Sequence, residues 1–263
     1  MFEQINGLRL AYHDRGREHE RVLLLVHGFP LDRRLWGAQV GALATMTRVI
    51  TPDLRGHGKS QIVPGPFTMD QHADDLVALL DHLKIRRAVV AGLSMGGYVA
   101  LAFWRRYPAR VQGLILADTR AEPDSASVRA GRDAAMDRVQ QTGAAAYADE
   151  MLPRLLAPDS LADGKIAGAA QKIMAEQPVK GIVGALGGLR DRADSRPTLS
   201  TIAVPTLVIA GEADAITPPA DAQAMAAAIP GARFVVIPKA GHLSALEKPR
   251  AFNAALRAFL RGF

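Results

Sequence analysis

Cysteine is absent from the 263 residues. That excludes disulfide staples, thiolate nucleophiles and cysteine-ligated zinc or iron–sulfur centres. No apolar run approaches the ~20 residues a bilayer-spanning helix needs, so no membrane partner is expected. The first residues, Met1-Phe-Glu-Gln-Ile-Asn-Gly7, carry no basic stretch followed by an apolar one. No secretory leader is therefore expected, and a cytoplasmic protein is the default expectation. Histidines and carboxylates nowhere fall at metal-ligand spacing, and a glycine-rich dinucleotide fingerprint is missing, so neither a metal nor a cofactor is expected. Internal repeats and low-complexity linkers are missing too. The net charge of +6 comes from scattered arginines, with pairs at Arg33-Arg34, Arg86-Arg87 and Arg105-Arg106. These are not the long basic clusters of nucleic-acid arms, so they read as a solvated surface and no nucleic-acid partner is expected.

What is present is a large supply of core. Hydrophobic residues make up 49% of the chain, which excludes global disorder. The length suits one α/β domain with an insertion, or two small domains. The most informative stretch runs from Ala88 to Ala102. Ala88-Val-Val-Ala91 reads as a buried strand, and from Met95 to Tyr107 the apolar residues recur at helical spacing until Pro108 stops them. Between the two lies Gly92-Leu-Ser-Met-Gly96, a G-x-S-x-G pattern. A strand that turns at once into a helix leaves no room for side chains at the flanking positions. The apex residue is pushed toward positive φ with its hydroxyl exposed, and the helix N-terminus points its amides at the same spot.

Around that stretch, strands and helices alternate. Phe2–Ile5 and Leu8–Tyr12 form a hairpin at Asn6-Gly7. Val22–Val26 reads as a central strand covered on both faces, ending at His27-Gly-Phe-Pro30 and followed by a helix to about Ala44. Val49–Thr51 is another strand, leading into Pro52-Asp53-Leu-Arg-Gly-His-Gly-Lys-Ser60. Thr68-Met-Asp-Gln71 is a capping box opening a helix whose Leu76, Leu79, Leu80 and Leu83 share a face. Leu114–Ala117 is a strand ending at Asp118. Strand-like runs then vanish, and helices are expected around 126–142, 144–157, 161–176 and 179–189. The alternation resumes with strand Thr206–Ala210, helix 220–228, strand Arg233–Ile237, a loop from Pro238 to Pro249 and a terminal helix to Leu260. This order predicts a mostly parallel sheet with helices on both faces, residues 1–118 and 202–263 forming the core and 119–201 a helical cap insertion. Ligands of such sheets bind at the carboxyl ends of the strands. The loops there hold Phe29, Asp53, Ser94, Asp118, Asp214 and His242.

A serine hydroxyl becomes a useful nucleophile when a base takes its proton and a carboxylate orients that base. Ser94, Asp214 in Gly211-Glu-Ala-Asp-Ala-Ile-Thr-Pro218 and His242 in Lys239-Ala-Gly-His-Leu-Ser-Ala-Leu-Glu-Lys-Pro249 supply these parts in the order Ser–Asp–His. Each residue alone reads as a turn former or a core residue. Together, after the right strands, they predict a nucleophile, an acid and a base. Asp118 remains a second position for the acid, at the end of the preceding strand.

The motifs His27-Gly28, Asp53–Ser60, the Ser94 turn and the Asp214 and His242 loops resemble the α/β-hydrolase superfamily over essentially the whole chain. His-Gly-Phe-Pro-Leu is similar to the cofactor-free haloperoxidases and perhydrolases. Gly-Leu-Ser-Met-Gly-Gly is similar to 3-oxoadipate enol-lactonases and small bacterial esterases. The resemblance implies the α/β-hydrolase fold and an oxyanion hole from the backbone amides of Phe29 and Met95. It matches Asp214 to the acid residue by residue and makes His27 structural. It also implies that Ser94, standing where dehalogenases and epoxide hydrolases of this fold carry aspartate, excludes their chemistry. His57 and His72 are expected to be non-catalytic, His72 by core packing, while Asp53 and Arg55 brace their loop by hydrogen bonds and an ion pair. The activity implied is hydrolysis of small to medium carboxylic esters, with enol-lactone hydrolysis and perhydrolysis as alternatives. A non-enzymatic ligand receptor on the same fold is the reading from another class. An enol-lactone acid would favour a cation in the insertion, for which Arg120, Arg132, Arg138, Arg154 and Arg190 are candidates.

Overall fold

The computed structural model describes residues 1–262. Eight strands form one sheet: β1 (Phe2–Ile5), β2 (Leu8–Arg15), β3 (Val22–Val26), β4 (Arg48–Pro52), β5 (Ala88–Leu93), β6 (Val111–Ala117), β7 (Thr206–Gly211) and β8 (Arg233–Ile237). Their spatial order is β1-β2-β4-β3-β5-β6-β7-β8. β1 and β2 pair antiparallel, as do β2 and β4, and every later pairing is parallel. This is the α/β-hydrolase arrangement, with the hairpin at one edge.

The sequence explains why the central strands read as unbroken apolar runs. Successive side chains of a strand point to opposite faces. Leu24, Val26, Val90, Leu114, Leu116 and Val208 enter one core, and their neighbours Leu23, Leu25, Val89, Ala91, Ile115 and Leu207 enter another. Helices cover both faces. On the first lie α2 (Met69–His82), α3 (Met95–Arg106) and α9 (Pro219–Ala228). On the second lie α1 (Gly37–Leu43) and α11 (Pro249–Leu260). Burying a Val, Leu or Phe side chain contributes roughly 1.5–3 kcal/mol each, so two such layers supply most of the stabilisation. The capping box opening α2 is formed: Gln71 N–H donates to the Thr68 hydroxyl, and Thr68 N–H to the Gln71 side chain.

Between β6 and β7 there are only helices: α4 (Ala126–Leu155), α5 (Pro158–Ala162), α6 (Gly164–Ala175), α7 (Val179–Arg190) and the short α8 (Arg196–Leu199). α4 breaks at Gly143, where φ is 81° and ψ 171°, so the expected division at that residue is real. Three short helices were not expected, α5, α8 and α10 (Ser244–Glu247), the last inside the loop read as running from Pro238 to Pro249. Single turns carry too few residues for periodicity to reveal. Among the described residues no helix is long and apolar enough to cross a membrane.

Candidate active site

Ser94 sits at the junction of β5 and α3 with φ 55° and ψ −115°, the strained conformation its turn demands. A side chain on Gly92 would run into the carbonyl of Gly96, and one on Gly96 into the carbonyl of Val26. The two glycines thus let strand and helix meet. The Ser94 backbone is clamped from β6: its N–H donates to Ala117 O at 2.9 Å, and its carbonyl accepts from the Thr119 hydroxyl at 2.9 Å.

The structure brings the three residues of the Ser–Asp–His order together. Ser94 Oγ lies 2.8 Å from His242 Nε2, and His242 Nδ1 lies 2.8 Å from Asp214 Oδ2. A carboxylate only accepts, so the proton is assigned to Nδ1, leaving Nε2 to accept from the Ser94 hydroxyl. Asp214 is itself held by Ile216 N–H at 2.8 Å, Thr217 N–H at 3.0 Å and the Thr217 hydroxyl at 2.7 Å. Burial pushes its carboxyl up, but the hydrogen bond and charge of His242 and the Thr217 donors outweigh this and hold it below the usual carboxylate value.

Asp118 is fully buried, yet its oxygens face elsewhere. One accepts from Gly211 N–H at 2.8 Å, the other from the Ser244 hydroxyl at 2.5 Å and Ser244 N–H at 3.3 Å. Burial pushes this carboxyl up to about 7. It ties β6 to β7 and to the turn after His242 without touching the imidazole. The geometry therefore joins His242 to Asp214.

The loop after β3 lies against the elbow: a Cβ on Gly28 would sit 3.2 Å from that of Ser94. Among the described residues, no acceptor pairs with the amide N–H of Phe29 or of Met95. Met95 is the first residue of α3, where N–H groups have no intrahelical partner. The Phe29 ring packs edge-on against Tyr147 of α4, at 6.3 Å between centroids, so α4 touches this loop.

His27 joins two loops, its Nδ1 bonded to Gly28 O and its Nε2 accepting from Leu54 N–H, both at 3.0 Å. His57 and His72 are fully buried, His57 bonding Arg55 O through Nδ1 at 3.0 Å. The bracing of the 53–60 loop differs from the single ion pair expected. Asp53 pairs with Arg33 and accepts from Lys59 N–H at 2.7 Å, whereas Arg55 makes a two-pronged pair with Asp75 of α2 at 2.7 Å. Both residues brace the loop, through separate partners that lie far apart in sequence. The insertion cations are mostly engaged: Arg120 with Asp221, Arg132 with Asp124, Arg138 with Glu150, and Arg190 with Asp133 and Asp191. Arg154 is exposed. Among the described residues no group of three or more His, Asp or Glu is gathered to hold a metal ion.

Four residues of this region were not singled out from sequence: Thr119, Thr217, Ser244 and Glu247. Thr217 had a signal, since Asp214-x-x-Thr217 is the spacing at which an Asp side chain bonds a turn's backbone. Ser244-x-x-Glu247 has capping-box spacing, but the Ser244 hydroxyl is diverted to Asp118.

The profile of the alpha/beta hydrolase fold family matches residues 21–249. The chain belongs to this family. Among relatives of this α/β hydrolase, a 3-oxoadipate enol-lactonase of Acinetobacter baylyi is 31% identical over 97% of this chain and 94% of its own. A thermophilic esterase from Thermogutta terrifontis superposes with a TM-score of 0.95 at 42% identity, covering 100% of this chain and 98% of the other. The enol-lactonase from Burkholderia xenovorans superposes with a TM-score of 0.93 at 32% identity, covering 99% and 100%.

Proposed function

We propose that this α/β hydrolase is a serine carboxylesterase acting on small to medium carboxylic esters. The observation that carries the reading is the unbroken hydrogen-bonded line from Ser94 Oγ through His242 to Asp214, with both steps at 2.8 Å. Ser94 attacks the ester carbonyl while His242 Nε2 takes its proton. Asp214 keeps the imidazole in the Nδ1–H tautomer and stabilises the imidazolium that forms. The carbonyl oxygen, now an oxyanion, is received by the amides of Phe29 and Met95. In serine proteases each such donor contributes roughly 3–4 kcal/mol. His242 then protonates the departing alkoxide, the acyl-enzyme on Ser94 forms, and water activated by His242 releases the acid. The insertion acts as a cap that limits acyl and alcohol size.

Enol-lactone hydrolysis is the second reading, favoured by the enol-lactonase relatives at 31% and 32% identity. It uses the same steps on a substrate that carries a free carboxylate. The engagement of four of the five candidate insertion arginines with carboxylates favours the neutral ester. A panel of p-nitrophenyl esters of increasing chain length beside 3-oxoadipate enol-lactone, with and without hydrogen peroxide, tests both. The expected result is turnover of the short esters above the lactone. A rate on the lactone exceeding every ester by a hundredfold would replace the first reading with the second.

A further inference from the structure

Glu247 is a buried carboxyl to which the mechanism assigns no work. Its contacts are unusual for a residue at the C-terminal end of a one-turn helix. Oε1 accepts from the N–H groups of Gly241 at 2.9 Å and Leu243 at 3.1 Å, the two residues flanking His242. Oε2 accepts from Ala157 N–H at 2.9 Å, in the insertion where α4 gives way to α5. The N–H of His242 itself donates to Leu155 O at 2.8 Å. The backbones meet closely at this point, since a Cβ on Gly241 would fall 2.8 Å from the carbonyl carbon of Leu156. Three consecutive amides of the His242 turn are thus tied to the insertion or to Glu247, and Glu247 reaches both sides.

We propose that Glu247 is a positioning residue that locks the backbone of His242 to the α4–α5 junction, so that the insertion holds the base in place as well as covering the site. The proposal rests on the serine-hydrolase reading for its consequence in turnover, though not for the coupling itself. A buried carboxylate accepting three N–H groups is well satisfied only while all three donors stay in place. Movement of the junction away from the sheet would remove Ala157 N–H and Leu155 O together. The His242 turn would lose the contacts that fix its register against Ser94 Oγ. A displacement of about 1 Å at such a contact costs on the order of a hundredfold in rate.

Two variants test this from opposite sides. Ala157→Pro removes the donor in the insertion and turns the ring Cδ toward Glu247 Oε2, so this contact cannot re-form. Ala157 has φ −63°, which proline adopts, and Leu156 before it is extended at φ −107°, ψ 146°, as a residue preceding proline must be. Glu247→Gln keeps size and one acceptor but replaces the other oxygen with a donor. Both are measured for kcat and KM on p-nitrophenyl acetate, per active site titrated with a fluorophosphonate. Amide hydrogen exchange of the peptide covering 240–248 is followed in parallel. The expected result is a ten- to hundredfold fall in kcat per titrated site with KM within twofold, and faster exchange in 240–248 while β3 and β5 keep wild-type protection. A merely structural role would lower the number of titratable sites and leave kcat per site unchanged. That outcome, or unchanged exchange in 240–248 for both variants, overturns the proposal. If wild-type protein showed no turnover that Ser94→Ala removes, the esterase reading would fall, and the exchange arm would still decide whether Glu247 couples insertion and turn.

Discussion

Two groups of buried histidine lie in this molecule, and they differ in wiring more than in burial. His242 is 2% exposed, and both its ring nitrogens have partners, a carboxylate on one side and a serine hydroxyl on the other. His27, His57 and His72 are wholly buried near the 53–60 loop. His27 and His57 stack edge-on at 5.2 Å, and His72 packs against Phe67 at 6.1 Å. Among the described residues, Nε2 of His57 and both ring nitrogens of His72 have no hydrogen-bond partner. Burial pushes the imidazoles of His27 and His72 below the usual histidine value and that of His57 to about 3. A base must exchange a proton with a partner it can reach. The second group has lost its proton to burial and, apart from the bonds His27 and His57 make to backbone groups, has nowhere to pass one. The difference teaches that burial and a perturbed imidazole do not by themselves mark a site, whereas directed partners on both ring nitrogens do.

The comparison is sharpened most by removing the group that His242 serves. Ser94→Ala is expected to lower ester turnover by about a million-fold, as removal of a triad nucleophile does in serine proteases. Its melting temperature should stay near wild type, because the elbow accepts a smaller side chain. A purified variant keeping more than a few per cent of activity would break the mechanism. The next largest effect is expected at the carboxylate bonded to His242. Asp214→Asn is expected to cost ~10⁴ in turnover, since the amide misplaces the imidazole proton and leaves the imidazolium unsupported. Asp118→Asn is expected to cost under about tenfold by the same reasoning, because its oxygens hold Gly211 and Ser244 instead of the imidazole. Assay of both at saturating ester decides the matter, and a larger loss at Asp118 would move the acid there.

Much of this was legible in the residues because it is carried by short-range rules. The elbow can be read because Gly92 and Gly96 are needed wherever a strand turns directly into a helix. The Gly143 break in α4 can be read because a helix-period pattern falters at a glycine. The order Ser94, Asp214, His242 follows from which strand each loop follows. What stayed hidden depends on long-range proximity. Arg33 lies 20 residues from Asp53 and Arg55 lies 20 from Asp75, so the bracing of the loop can be expected from the residues but its partners cannot. Glu247 and Ala157 are 90 residues apart. Nothing in periodicity or capping joins them until the sheet brings the β8 loop under the insertion.

The smallest expected effect tests the unwired histidines. An imidazole whose folded value lies below its unfolded value of about 6.5 binds fewer protons in the native state than in the unfolded chain at any pH between the two. Stability must therefore fall as pH drops below about 6.5, and for His57 it keeps falling until pH approaches 3. Asp118 acts in the opposite sense. Held up at about 7, it keeps a proton in the native state that the unfolded chain has released, so its contribution is full at low pH and fades as pH rises through 7. The net slope for wild type mixes the two, whereas a histidine variant isolates one. His72→Leu is suited to this, because it removes a buried ring whose nitrogens have no partner among the described residues and replaces it with an apolar side chain of similar bulk. Replacing an unpaired buried polar group by an apolar one is close to neutral or stabilising. At pH 7.5 the variant should therefore unfold in urea within about 1 kcal/mol of wild type. At pH 4.5 it should be the more stable of the two, since one of the imidazoles that the unfolded chain protonates is gone. Equal losses of stability between pH 7.5 and 4.5 in both proteins would mean that His72 takes up its proton in the folded state, and the contrast with His242 would lose its physical basis.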